Sequence, residues 1–220
     1  MQKGKAVIIV SGGMDSVTLL HDIVKNKLHE QVYGISFFYG QRHSKELDCA
    51  FKNCELLGVP WQEADLSVLK ELAPSALTRE VEMPHGHYAA ENMKQTVVPN
   101  RNMVLLSLAT SYAIGIEAGT VYYGAHANDA TIYPDCRPEF VKAMQKVLAI
   151  CDWHKVELKA PYLNVNKGFI LRKGLALGVD YGLTWTCYEG KEKACGKCGS
   201  CVERLEAFKS VGIKDSVEYE

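Results

Sequence analysis

No apolar run in this chain of 220 residues approaches the roughly 18 residues needed to span a bilayer. No sign of charge dominates either. Lys and Arg number 25 against 26 Asp and Glu, for a formal net charge of −1, so there is no global basic field to hold nucleic acid. The N-terminal Met-Gln-Lys-Gly-Lys leads at once into an apolar run and does not read as a signal peptide. The expectation is a cytoplasmic protein without membrane contact. Disulfides are not expected there, although the chain has eight cysteines. A hydrophobic content of 47% and a charged content of 23% are ordinary for a globular protein. The length suits one sizeable domain with a small appendage.

What is present centres on Ser11-Gly12-Gly13-Met14-Asp15-Ser16. It follows the apolar run Ala6 to Val10, which reads as a buried parallel strand. Val17, Leu20, Ile23, Val24 and Leu28 then recur at helical spacing, placing a helix start near Asp15 or Ser16. Strand, small-residue loop and helix aim several backbone N–H groups and a positive dipole end at one point, which is an anion site. The glycines let a phosphate approach the backbone. No Lys-Ser/Thr pair follows them, so this is not a Walker A loop, and it is not G-x-G-x-x-G. Asp15 would repel a bare pyrophosphate, so a divalent cation, Mg²⁺, is expected to bridge the two. The plainer reading is a Gly-rich turn with an Asp/Ser helix cap.

Further along, Val32 to Tyr39 reads as a second strand, Arg42 to Leu57 as a helix, and Pro60 to Leu66 as a weaker third strand. This order argues for a doubly wound, mainly parallel sheet with ligands at the carboxyl ends of its strands. Two more strands, Thr120 to Gly124 and Val156 to Pro161, complete a five-stranded α/β fold. Residues 72–98, with Pro74, Pro84 and Gly86, read as a long loop of the lid or mobile kind, and His85 and His87 as surface histidines on it. A strongly apolar helix from Met103 to about Ala118 should be buried on much of its circumference. Arg101 at its start opposes the dipole, which a phosphate or carboxylate partner would offset. The loop after the fourth strand gathers Asn128, Asp129, Tyr133, Asp135 and Arg137, where a polar heterocycle could be read. Asp135 would also cap a helix from Cys136 to Ile150, and Asn166 one from Lys167 to Leu177.

The tail carries Cys187, Cys195, Cys198 and Cys201 in the pattern C-x7-C-x2-C-x2-C. Two overlapping C-x2-C turns and a more distant cysteine supply four thiolates, as a structural Zn²⁺ requires. An iron–sulfur cluster also uses four cysteines and stays open as the alternative. Gly196 and Gly199 would serve the tight turns, and the metal would pin a helix from Val202 to Val211. Cys49, Cys54, Cys136 and Cys151 are dispersed and expected as buried thiols.

Ser-Gly-Gly-x-Asp-Ser after a first strand resembles the PP-loop of N-type ATP pyrophosphatases. With it stand Tyr39-Gly40-Gln41-Arg42-His43, Val98-Pro99-Asn100-Arg101-Asn102, Tyr133-Pro134-Asp135-Cys136-Arg137, Thr184-Trp185-Thr186-Cys187-Tyr188 and the cysteine set. In that order on one chain they resemble the 7-cyano-7-deazaguanine synthase family, the preQ0-forming ligases of the queuosine pathway. Departures are Met14 and Val17 where the family has Leu and Thr, Asn100 where it has Gly, and Thr186 where it has Ser. Val17 removes a hydroxyl near the phosphates.

The resemblance implies conversion of 7-carboxy-7-deazaguanine, ammonium and ATP to the nitrile. It implies a PP-loop domain over 1–180 and a Cys₄ zinc-binding segment over 181–220. Val10, Ser11, Gly12, Gly13, Met14, Asp15, Ser16, Val17, Thr18, Leu19 and Leu20 would form the ATP loop and the start of its helix. Asp15 would hold Mg²⁺ or position pyrophosphate, and Arg101 would contact a phosphate or carboxylate. Arg42, His43, Asp129, Asp135 and Arg137 are candidate substrate contacts. No glutaminase arrangement is evident, so free ammonium is the expected nitrogen source. The Met103 helix offers a homodimer face. Two rivals remain: another PP-loop enzyme (a tRNA-thiolating or amide-forming ligase), and a zinc-ribbon protein that binds nucleic acid.

Overall fold

The computed structural model describes residues 4–220. The first apolar run forms β1 (Lys5–Ile9), and α1 (Met14–Lys25) follows it. Then come β2 (Gln31–Phe38), α2 (Lys45–Leu56), β3 (Trp61–Asp65) and a single helical turn α3 (Leu69–Leu72). The second half holds α4 (Arg101–Gly115), β4 (Thr120–Tyr122), α5 (Pro138–Leu148), β5 (Glu157–Lys159), α6 (Lys167–Ala176) and α7 (Gly199–Val211).

The five strands pair in the order β3-β2-β1-β4-β5, and all pairs are parallel. Alternate residues of β1 serve opposite faces, as the two-residue period of a strand requires. Ala6, Ile8 and Val10 pack under α1, α2, α6 and α7, with Leu20, Ala50, Ile170 and Phe208. Val7 and Ile9 pack under α4 and α5, with Leu106, Ala109, Val141 and Leu158. Both faces are covered, so the expected doubly wound α/β sheet is present. The chain runs from β1 to β2 on one side and later returns to β4 on the other. The topological switch point therefore lies between the carboxyl ends of β1 and β4, where such sheets bind ligands.

Several expectations need correction. Residues 72–98 are not a loose lid. They contain a 3-10 helix (Glu91–Thr96) and bury Ala73, Ala76, Leu77, Met83 and Val98 against Trp185 and the cysteine tail. The helix expected from Arg42 starts at Lys45, because Arg42 N–H bonds Leu77 O (3.2 Å) and Gln41 is held by β2. Asp135 does not cap α5, whose N-cap is Arg137. Its Oδ2 instead accepts from Asn102 N–H (3.0 Å) and caps the first turn of α4. On α4, expected to be buried on much of its circumference, Leu106, Ala109 and Ala113 are buried while Met103 and Leu108 are exposed. The tail shares the main core through Ala207 and Phe208 of α7. Asn166 caps α6 as expected, its Oδ1 accepting from Phe169 N–H (2.9 Å).

Candidate active site

The loop between β1 and α1 is shaped by bonds among its own small residues. Ser16 Oγ accepts from Ser11 N–H (3.1 Å) and donates to Gly13 O (3.2 Å). Gly12 has φ +85°, and a Cβ there would sit 1.8 Å from the Glu46 carbonyl oxygen. Only glycine fits both demands. Trp185 N–H donates to Gly12 O (3.0 Å), so the segment before the cysteines clasps the loop from outside. At the end of β4, Gly124 approaches Ser16 so closely that a Cβ would lie 3.5 Å from its Cα.

Loop and strand ends border one cavity of about 260 Å³. Of the stretch from Val10 to Leu20, Val10, Ser11, Gly13, Asp15 and Ser16 line it. Met14, Val17, Leu19 and Leu20 are fully buried in the core. Thr18 turns its hydroxyl to Met14 O and Tyr181 Oη, both at 2.7 Å. Val17 therefore occupies a core position, where a threonine hydroxyl would face apolar neighbours.

Asp15 faces a charge cluster assembled from four elements. Lys167, the first residue of α6, places Nζ 3.2 Å from Asp15 Oδ2 and bonds Glu203 of α7. Burial alone would lower the Lys167 pKa, but Asp15, Glu203 and Asp129 hold it well above the ordinary lysine value. His126 sits behind them with Nε2 3.4 Å from Asp129 Oδ2, 3.6 Å from Asp15 Oδ2 and 3.9 Å from Glu203 Oε1. Its Nδ1 accepts from Asn128 N–H (3.3 Å), which turns Nε2 toward the carboxylates. Burial pushes the Asp129 carboxyl up, against the pull of His126. Asp15 Oδ1 and Glu203 Oε1 are buried and have no hydrogen-bond partner among the described residues. Two free carboxylate oxygens suit a hard divalent cation, so the residues present fit Mg²⁺ beside the phosphate loop.

Across the cavity, Arg101 donates from Nη1 to Tyr39 Oη (3.2 Å) and lies over the Tyr39 ring at 5.2 Å. Burial opposes its charge, yet Tyr39, Tyr133 and Asp135 keep it firmly protonated. Asn100 just before it takes the left-handed conformation, φ +59°, where Asn is the best non-glycine residue. That is why Asn can stand where the family's glycine does. Arg42 lines the cavity, is exposed and donates to Val81 O (3.0 Å). His43 donates from Nε2 to Cys187 O (2.9 Å), and burial lowers its pKa. Of the three residues expected to read the heterocycle, only Asp129 lines the cavity. Asp135 is spent on α4, and Arg137 donates from Nε to Ala130 O (3.2 Å).

Sequence reasoning missed Lys167, Glu203, His126 and Glu46. Lys167 carried the signal used for Arg101, a cation at a helix N-terminus. Glu203 had no local signal, because its partner Lys167 is far away in the chain.

The four tail cysteines are buried, with sulfur atoms within 4.8 Å of one another. Cys187 Sγ accepts from Cys195 N–H (3.3 Å), and Cys195 Sγ from the N–H groups of Lys197 (3.4 Å) and Cys198 (3.3 Å). Such donors favour thiolate, and tetrahedral Zn–S bonds of about 2.3 Å place sulfurs about 3.8 Å apart. The donor set therefore fits a structural metal ion. Gly196, φ +68°, makes the tight turn, whereas Gly199 begins α7 and leaves room for Met93 Sδ, 2.7 Å from where a Cβ would stand. His85 is exposed, as expected, and its Nε2 lies 3.0 Å from Glu189 Oε1 beside Cys195. Among the dispersed cysteines Cys54 and Cys136 are buried, Cys49 is intermediate and Cys151 is exposed.

The sequence matches the family model "Queuosine biosynthesis protein QueC" over residues 5–212. A 7-cyano-7-deazaguanine synthase from Caldicellulosiruptor saccharolyticus is 60% identical over 98% of this chain and 96% of its own length. One from Methanoregula boonei is 58% identical over 98% of this chain and 99% of its own. Among solved structures, a U34-tRNA thiolase from Methanococcus maripaludis aligns with TM-score 0.51 at 16% identity, over 96% of this chain and 66% of that one. An NMN synthetase from Francisella tularensis aligns with TM-score 0.53 at 13% identity, over 98% of this chain and 79% of that one. These distant likenesses show the fold alone. The agreement with the sequence family runs from the phosphate loop through the four cysteines, and the chain belongs to the QueC family of queuosine biosynthesis proteins.

Proposed function

We infer that this protein is a carbon–nitrogen ligase, a 7-cyano-7-deazaguanine synthase. It uses ATP to turn the carboxylate of 7-carboxy-7-deazaguanine, with ammonia, first into the amide and then into the nitrile. One observation carries the reading beyond family membership. A single cavity at the switch point holds both the phosphate loop and, opposite it, Arg101.

A carboxylate is a poor electrophile because its oxygen leaves badly. Transfer of AMP to that oxygen makes it a phosphate ester, which departs easily. The loop amides and the N-terminus of α1 receive the phosphates. Arg101 and Lys167 supply fixed positive charge beside the phosphate oxygens on which negative charge develops. Asp15, with Glu203, would hold a divalent cation, which when bound screens the pyrophosphate from these carboxylates. Alignment of the α-phosphorus with the bound acid contributes several kcal/mol by itself. The same geometry serves a second activation on the amide oxygen. Asp129 is the acid left to read the guanidine-like edge of the ring.

In this reading residues 1–180 carry the nucleotide chemistry, and residues 181–220 form a Cys₄ segment holding Zn²⁺. The enzyme takes free ammonium, works in the cytoplasm and forms a homodimer through the exposed side of α4. No described helix is long and apolar enough to cross a membrane. Thiol chemistry of the tRNA-thiolating kind is disfavoured at the one dispersed cysteine that lines the cavity. Cys136 sits at 3.3 Å from Asn102 Nδ2 and 3.2 Å from Tyr123 Oη, and burial pushes its pKa far above that of a reactive thiol.

Incubation with the carboxylate, ammonium, Mg²⁺ and ATP should yield the cyano product by mass spectrometry, with AMP released at each activation. AMP without nitrile, or no dependence on the carboxylate, would reject the assignment.

A further inference from the structure

Nitrogen transfer makes a demand that phosphate binding does not. Attack by ammonia leaves a surplus N–H proton, and forming a nitrile removes two more. A base must therefore face the cavity.

Most cavity groups are already committed. Asp15 and Glu203 hold the Lys167 ammonium with one oxygen each and would turn the other to the divalent cation, and Asp129 faces His126. Lys167 and Arg101 carry their protons throughout. His43 is held against the carbonyl of Cys187, in the metal-binding segment. Burial raises the tyrosines Tyr39, Tyr133 and Tyr188, which keeps them protonated. Glu46, in the first turn of α2, lines the same cavity and makes no ion pair among the described residues. Its Oε1 accepts from Gln41 Nε2 (3.2 Å), and Gln41 Oε1 accepts from Tyr39 N–H (2.7 Å). That chain of bonds fixes one oxygen and leaves the other for a ligand. The Glu46 backbone rests on Gly12, so the carboxylate is tied to the phosphate loop.

We propose that Glu46 is the catalytic base that removes protons from nitrogen in both halves of the reaction; this rests on the activity assigned above. In the first half, the lone pair of ammonia forms the C–N bond to the acyl adenylate. The acyl C–O bond breaks, its electron pair leaves on AMP, and Glu46 takes the surplus N–H proton. In the second half, the amide oxygen attacks the α-phosphorus, pyrophosphate departs, and Glu46 takes one N–H proton and passes it to solvent. Glu46 then takes the remaining N–H proton as the C–O bond breaks onto AMP, which leaves the nitrile. Between turns the carboxyl returns its proton to solvent.

Its surroundings tune it for that work. Burial raises the Glu46 pKa to about 7, although Arg101 and the Gln41 bond pull it down. Arg101 of α4 and Tyr39 after β2 are the titratable groups facing it from neighbouring elements, and Cys49 follows on α2. A base poised near the working pH is the efficient choice.

The test is Glu46→Gln, which keeps the shape and the partner Gln41. Carboxylate-dependent exchange of labelled pyrophosphate into ATP reports activation without nitrogen transfer, and it should persist. Nitrile formation should fall by about 100-fold or more with the KM for the carboxylate unchanged. The acid limb that wild-type kcat shows near pH 7 should vanish in Glu46→Gln and survive in a slower Glu46→Asp. Parallel loss of exchange and nitrile in folded protein, a raised KM at unchanged kcat, or wild-type turnover would each overturn the proposal. So would a wild-type profile without that acid limb, which needs no variant to fold. Failure of the parent assignment looks different, since wild-type protein would then make no nitrile at all.

Discussion

At the scale of single residues, the site is a contrast between two cations held in different ways. Lys167 is neutralised by Asp15 and Glu203, whereas Arg101 meets tyrosine hydroxyls and the more distant Asp135. Asp15→Asn keeps the volume but removes the negative charge that the proposed divalent cation would need. It should lower nitrile formation by about 100-fold or more, with a weakened dependence on Mg²⁺ in steady-state rates. Glu46 gives a prediction in stability instead. Its folded pKa of about 7 lies above the ordinary 4.5, so the native state binds the proton more tightly. Its stabilising contribution is full below about pH 4.5 and is lost as pH rises to about 7, a difference of up to about 3 kcal/mol. Urea midpoints of wild type minus Glu46→Gln should decline across that window and level off above it. Asp15 and Arg101 were legible because a loop motif and an unfavourable dipole flagged them. Glu46 was not, since an acid in the first turn of a helix is ordinary and only its burial makes it unusual.

Elements explain why the loop tolerates so little change. Gly12→Ala would place a methyl group 1.8 Å from the Glu46 carbonyl in a backbone conformation with φ +85°. The expected loss is about 3 kcal/mol, or a Tm lower by roughly 10 °C in a thermal scan. Gly199→Ala meets the flexible end of Met93 at 2.7 Å and the Tyr88 backbone at 3.2 Å, a milder clash that should shift Tm less. Strand positions were readable, because buried parallel strands appear as apolar runs and their ends as glycine. The role of Asp135 was not, because a cap can serve any helix end that reaches it. The nearest helix in sequence, α5, was the natural guess, but α4 lies at the right place in space.

At the scale of the whole molecule, the cysteine tail serves as a brace for the cavity. Cys198 and Cys201 fix the start of α7, and Glu203 two residues on enters the charge cluster. Arg204 beside it bonds Asp215 (2.6 Å), Thr184 (2.7 Å) and Tyr181 O (2.8 Å), which ties α7 to the segment clasping the phosphate loop. Cys198→Ser should bind well under the wild-type amount of metal by elemental analysis. Its Tm should fall by roughly 10 °C or more, because metal binding is part of the folding free energy. Activity should fall with it through displaced Glu203, although none of the four cysteines lines the cavity.

By itself the sequence determined the first strand with the loop and helix after it, the doubly wound sheet and the cluster of four cysteines. Each is a local pattern, set by spacing, propensity and ligand type over a few residues. Only the tertiary structure decided which charges meet Asp15, which helix Asp135 caps and how far Glu46 leaves water. Those outcomes depend on neighbours brought together from distant parts of the chain and on the dielectric that packing creates around them, and neither is written in any short stretch of residues.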